Sequence, residues 1–275
     1  MTSPRSHLLD GVPRLHYLEW NPRGTRTIIL LHGNSANAWW WEPLARVIAP
    51  EYRLLALDQR GHGDSGWVRP AAYSPADYAN DLARFVAHAA ANAEKPVVAG
   101  HSMGGLSVLA FARNHPDSVC GAMAIDVAVT SSRGRDRYLR RLKAIPVVTY
   151  PDLATAKARF RLMPNEGEIA DEVIREIAER SLARTDDGRW TLKFDRESFL
   201  GGDGLAVIET IKEIRIPLML VRAEHSRIMT AEAAQHARAS NPKARLVTIP
   251  GAHHHVIVEK PEAVARVIEE FAASL

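Results

Sequence analysis

Six short apolar runs, none of them alternating with polar residues, constrain this chain more than any other feature. They are TIILLHG at 27–33, RLLALD at 53–58, PVVAGHS at 96–102, SVCGAMAID at 118–126, PLMLVRA at 217–223 and ARLVTIP at 244–250. A strand with one wet face alternates; a continuous apolar run suits a strand buried on both faces, as in a parallel sheet. Helical patterns lie between the runs. WWWEPLARVIA at 39–49 ends before Pro50, and the pattern at 75–91 opens with Ser74 as N-cap and Pro75 at the first helical position. Further helical stretches follow at 103–113, at 230–239 from Thr230 and at 261–274 from Pro261. This alternation predicts an α/β fold: a mostly parallel, doubly wound sheet with right-handed crossovers. LHYLEW at 15–20 reads as an early antiparallel edge strand.

One interval breaks the rhythm. Residues 127–213 hold no clear buried strand, only helix-like segments and turns such as TDDGRW and GGDG. At 87 residues the interval is too long for a loop. It reads as a helical cap inserted into a core made of 1–126 and 214–275, lying over the sheet edge where open α/β sheets bind ligands.

Composition narrows the function classes. With 46% apolar and 24% charged residues in 275, the chain matches ordinary globular proteins and is long enough to bury a core without staples. Disorder, collagen and coiled coil are excluded for the chain as a whole. Thirty-five basic against 32 acidic residues leave +3, which does not call for a nucleic-acid partner. Cys120 is the single cysteine, so neither an internal disulfide nor a thiolate metal cluster can form; inside an apolar run it reads as an inert small hydrophobe. The first residues contain no apolar leader, and no run approaches 18 apolar residues, so no membrane span is expected and the cytoplasm is the expected location.

The chemistry is carried by GHSMG at 100–104, a G-x-S-x-G pentad at the end of an apolar run and the start of a helix. So tight a strand-to-helix turn brings backbones together around the serine. Gly100 and Gly104 leave that space open, and Ser102 is pushed out at the sheet edge above a helix N-terminus that favours negative charge.

With these residues the sequence resembles the α/β-hydrolase family over nearly its whole length. LHGN at 31–34 is similar to the family's oxyanion loop, and DQRGHGDS at 58–65 to its Asp-x-Arg-Gly-x-Gly turn. GHSMG resembles the nucleophile elbow, and IPGAHHHVIVEKPE at 249–262 the histidine loop, normally Pro-Gly-x-Gly-His. The resemblance implies an eight-stranded sheet with a cap after the sixth strand, and no cofactor. A serine hydroxyl needs an adjacent base, and only histidine has the ordinary pKa for that work. Among 12 histidines, His254 falls at the family position after Pro250-Gly251, with His253 in place of the usual glycine and His255 beyond it. The same pattern implies that the amides of Met103 and Asn34 form the oxyanion hole. Three adjacent histidines diverge and lack a carboxylate cluster, so no metal is expected. Asp58, Arg60 and Asp64 are expected to brace their turn.

The acid departs from the pattern. The family usually places an aspartate after the seventh strand, but this chain reads Ala223-Glu224-His225-Ser226-Arg227, with Ser226 at the expected position. Serine cannot stabilise an imidazolium by charge. Asp126 ends the run that follows the serine strand, and some relatives, haloalkane dehalogenases among them, carry their acid there. Asp126 is therefore the first candidate and Glu224 the second.

These features point to a serine hydrolase acting on a small ester-like molecule through an acyl-enzyme. Carbon–carbon bond hydrolysis, amide hydrolysis, acyl transfer and non-catalytic ligand binding stay open on the same fold, and the oligomeric state is not legible. Trp39, Trp40 and Trp41 point about 100° apart on a helix, so one or two can line a pocket while packing claims the rest. The segment from Arg133 to Arg161 carries nine cations (Arg133, Arg135, Arg137, Arg140, Arg141, Lys143, Lys157, Arg159, Arg161) against Asp136 and Asp152. It reads as a solvated face, with an anionic substrate or acidic partner as the sharper alternative.

Overall fold

Successive side chains of a strand point to opposite faces, and in these apolar runs both sets find a core. The computed structural model describes residues 3–89, 94–130, 133–199 and 204–275. Its main sheet has eight strands in the order β1 (Arg5–Leu9), β2 (Leu15–Trp20), β4 (Tyr52–Leu57), β3 (Arg26–Leu31), β5 (Val97–His101), β6 (Gly121–Ile125), β9 (Leu218–Ala223), β10 (Arg245–Ile249). The two pairings made by β2 are antiparallel and all the others parallel. Ile28 and Leu30 of β3 join a core on one face with Leu44, Val264, Ile268 and Phe271. Ile29 and Leu31 join a second core on the other face with Leu82, Phe85, Val108 and Phe111.

The helices are α1 (Glu42–Ala45), α2 (Pro75–Ala89), α3 (Met103–Asn114), α4 (Arg133–Ala144), α5 (Leu153–Arg159), α6 (Asp171–Arg180), α7 (Gly204–Glu213), α8 (Ala231–Ser240), α9 (Val256–Glu259) and α10 (Pro261–Ala273). Helices α1, α9 and α10 cover the first face, and α2, α3, α7 and α8 the second. The caps read from the sequence are made. The Ser74 hydroxyl accepts the Asp77 amide at 3.2 Å while the Asp77 carboxylate takes the Ser74 amide at 2.8 Å. The Thr230 hydroxyl accepts the Ala233 amide at the start of α8.

Three expectations are corrected. LHYLEW is not the sheet edge, because RSHLL at 5–9 pairs outside it; that strand is exposed or half-buried along its length and carries little apolar signal. The helix expected at 39–49 is a 3₁₀ turn, Ala38–Trp41, followed by the single-turn α1. Pro43 has no amide to extend the turn's ladder, so the chain restarts as a new helix. Cys120 precedes β6 rather than lying in it, half-buried, with its amide donated to the Pro96 carbonyl.

The interval between β6 and β9 is mixed rather than all-helical. It holds α4 to α7 and a hairpin, β7 (Leu182–Arg184) with β8 (Trp190–Leu192), closed by the TDDG turn. Of the GGDG turn, residues 201–203 lie outside the described residues. Helix α7 packs with the body: Ile208, Ile211 and Ile214 join the second core, and Asn241 Nδ2 donates to the Ile211 and Ile214 carbonyls. The earlier part sits on the loops that follow β3 and β4. Gly63 donates to the Lys193 carbonyl, Asp195 donates to the Gly61 carbonyl, and Asn37 Nδ2 reaches the Arg180 carbonyl and Ser181. Within the basic segment, Arg137, Arg140, Arg141 and Lys143 are exposed, Lys143 pairs with Glu197 and Lys157 with Glu179. The side chains of Arg133, Arg135 and Asp136 lie outside those described. Among the described residues no helix is long and apolar enough to cross a membrane.

Candidate active site

Gly100 and Gly104 are required by distance. A Cβ on Gly100 would lie 2.2 Å from the Gly104 carbonyl oxygen, and one on Gly104 would lie 2.4 Å from the Leu31 oxygen. Backbone atoms cannot yield to such overlaps, so β5, β3 and α3 approach this closely only through glycine. The turn holds Ser102 at φ 53 and ψ −117, a left-handed backbone that costs a serine about 1–3 kcal/mol. The Ser102 amide, donated to the Ile125 carbonyl at 2.9 Å, ties the turn to the end of β6.

The next residue on that strand's path is Asp126, fully buried and also at positive φ (49). Its Oδ2 lies 2.7 Å from His254 Nδ1. Its Oδ1 accepts the Ala223 amide at 3.0 Å, and Oδ2 also accepts the Ser226 hydroxyl at 2.5 Å. His254 donating through Nδ1 leaves Nε2 as its acceptor. The backbone of His254 is held from the serine side as well: His101, the residue before Ser102, donates Nε2–H to the His254 carbonyl at 2.8 Å. Burial disfavours charge on both partners, pushing Asp126 up to about 6 and His254 down to about 4. At neutral pH the pair is a carboxylate facing a neutral imidazole.

The other candidates separate. Glu224 does not reach His254. It is exposed, accepts the Gly251 amide at 2.7 Å and lies 3.9 Å from His225. His253 turns to Glu259, 3.0 Å away. His255 is buried against Trp40 and bonds the Pro164 carbonyl at 3.0 Å, and burial lowers it to about 3.

Asn34 and Met103 meet across the site, with Asn34 Nδ2 3.6 Å from Met103 Sδ and 3.1 Å from the Ser198 carbonyl. Among the described residues neither main-chain amide has a hydrogen-bond partner. A Cβ on Gly33 would touch the Ser102 side chain at 3.3 Å, so this loop lies directly against the serine.

Some residues of the site were not foreseen. Gln59 donates its amide to His32 Nε2 and its side chain to the His32 carbonyl, and the Ser107 hydroxyl donates to Gln59 Oε1. These bonds fix the loop carrying Gly33 and Asn34. Ser226 and His101 are likewise part of the site, and its place inside the pentad, directly before Ser102, was the available signal for His101. Asp58 takes the Ala38 and Asp64 amides and His16 Nδ1, and Arg60 forms an ion pair with Asp81. Both brace the turn. His16, Asp58 and Asp64 stand close enough to surround a cation. Their donor atoms are committed to these bonds, and Asp64 is paired with Lys193. Trp40 and Trp41 are buried, while Trp39 stacks under Arg180 and lines a cleft of about 370 Å³ with Leu153, Trp190 and Lys193, in which none of the predicted site residues takes part.

A family model described as the alpha/beta hydrolase family matches residues 28–267. A 2-(acetamidomethylene)succinate hydrolase of Mesorhizobium japonicum is 27% identical over 248 residues, covering 89% of this chain and 87% of the relative. An esterase of Mycobacterium tuberculosis is 26% identical, covering 91% and 84%. The crystal structure of E-2-(acetamidomethylene)succinate hydrolase matches with a TM-score of 0.84 at 25% identity, covering 98% of this chain and 99% of that one.

Proposed function

The chain belongs to the alpha/beta hydrolase family, and within it we propose that it hydrolyses a small carboxylic ester through an acyl-enzyme on Ser102. The observation that carries this reading is the 2.7 Å contact between His254 Nδ1 and a buried Asp126, at the same sheet edge as a serine on a strained elbow. His254 Nε2 takes the proton from the Ser102 hydroxyl as its oxygen attacks the ester carbonyl. Asp126 holds the imidazole in the tautomer that can accept and stabilises the imidazolium. The carbonyl oxygen becomes an oxyanion facing the Met103 and Asn34 amides, at the N-terminus of α3. Collapse breaks the C–O bond, and the alcohol leaves with the proton from His254. Water, deprotonated by the same nitrogen, then releases the acid and restores Ser102.

Two further features support the reading. A relative over most of the length is named an esterase, and the part of the insertion before α7 rests on the loops that carry Asn34 and Asn37. We assign the described residues of 127–199 as the cover that shapes the substrate pocket. The test is labelling by a fluorophosphonate together with turnover of a p-nitrophenyl ester series. Rapid labelling that is lost in Ser102→Ala supports the reading; equal labelling or turnover in that variant overturns it.

A further inference from the structure

We infer that Ser226 is a positioning residue for the acid: its hydroxyl donates to Asp126 Oδ2 and keeps that carboxylate ionised beside His254. The inference rests on the reading of Asp126 as the acid. The direction of the bond follows from the bonds around the hydroxyl. A serine hydroxyl has one proton and two acceptor lone pairs. The Ser226 oxygen accepts the Ile228 amide at 3.0 Å and the Met229 amide at 3.3 Å. With its lone pairs so occupied, its single proton goes to Asp126, 2.5 Å away. Ser226 is itself buried, so water does not compete.

The carboxylate needs that donor. Asp126 is fully buried, and desolvation favours its neutral form. The groups facing it are His101 from β5, Arg222 from β9, and His254 and His255 from the histidine loop. Burial holds all three of these histidines below their ordinary pKa and therefore neutral near pH 7. Arg222, whose guanidinium also donates to the Met229 and Glu224 carbonyls, is the one permanent cation among them. The Ser226 hydroxyl and the Ala223 amide are thus the donors, beside His254, that keep Asp126 ionised. An aspartate at 226 would set a second carboxylate against Asp126, and one of the two would have to protonate. Serine at this position supplies a donor to Asp126 without adding a second charge.

The experiment is the pH dependence of fluorophosphonate labelling of the full chain, which reads activation of Ser102 without a natural substrate. The parent, Ser226→Ala, Ser226→Thr and Ser226→Cys are compared, with Asp126→Asn as control. The inference predicts that Ser226→Ala moves the acid limb up by about one to two pH units, the worth of one charge-assisted hydrogen bond. Rates in alkali should stay within a few fold of the parent. Ser226→Thr, which keeps the donor, should restore the parent limb. Ser226→Cys, nearly the same size with a weak donor, should move the limb like alanine and serves if the alanine variant does not fold. A parent limb in Ser226→Ala or Ser226→Cys, with any loss uniform across pH, overturns the inference. Normal labelling in Asp126→Asn, or none in the parent, overturns the reading of the catalytic acid and base, and the inference with it.

Discussion

Two turns at the same edge of the sheet behave oppositely. The turn after β5 is built by its sequence: Gly100 and Gly104 admit neighbouring backbones, and a Cβ at either position would overlap backbone atoms. The turn after β9 carries Ser226 where the family pattern expects an acid, and the carboxylate that meets His254 stands at the end of the adjacent strand, β6, with Asp126 Oδ2 2.7 Å from Nδ1. Sterics set by backbone atoms cannot be relocated. A negative charge needs only to reach Nδ1, and neighbouring strands of a parallel sheet end close enough for either to supply it.

The sharpest break of this contrast is chemical. Ser102→Ala should lower kcat by about 10⁶-fold, as should His254→Ala, because such residues act as a unit. His253→Ala, whose ring faces Glu259, should cost far less. Steady-state turnover of one ester reads all three, and a larger loss at His253 would shift the base by one residue.

The steric half is tested by Gly104→Ala. Its new Cβ would sit 2.4 Å from the Leu31 oxygen and 2.6 Å from the His32 oxygen. A destabilisation of about 1–3 kcal/mol or more is expected in urea unfolding. An unchanged midpoint would show that the turn has slack.

The electrostatic half appears as a pH limb. Asp126 is pushed up to about 6 by burial, so kcat/KM should fall about tenfold per unit as pH drops below that value. The sign follows from the charge: a protonated Asp126 is neutral and cannot stabilise the imidazolium. The pair titrates as a unit. Activity that stays flat down to pH 4 would contradict either the upward push on Asp126 or its part in the reaction.

The smallest effect concerns the loop after β3. Asn34→Ala keeps the main-chain amide proposed for the oxyanion hole and loses the 3.1 Å tether to the Ser198 carbonyl. About one hydrogen bond, or roughly fivefold in kcat, is expected; a loss of a hundredfold would give the side chain a direct part in the reaction.

The same contrast explains what could be read in the sequence. The parallel strands were legible because burial on both faces leaves unbroken apolar runs, and the pentad because its glycines have a steric cause. β1 was not, since an exposed edge strand needs no apolar pattern. The β7–β8 hairpin has three residues per strand, too few to show a period. Gln59 and Ser107 were hidden because their bonds join residues 48 apart in the chain. Asp126 could be proposed from strand adjacency, but Ser226 as its donor depends on the path of the loop after β9, which no local pattern records.

The claim that the acid has moved to β6 is tested most directly by measuring kcat for Asp126→Asn and Glu224→Gln side by side on one ester, with folding checked by circular dichroism. The account predicts a loss of about 10⁴-fold for Asp126→Asn and turnover within a few fold of the parent for Glu224→Gln, whose side chain is exposed and bonded to the Gly251 amide. A folded Asp126→Asn variant that keeps its turnover, with the loss appearing in Glu224→Gln, would contradict it.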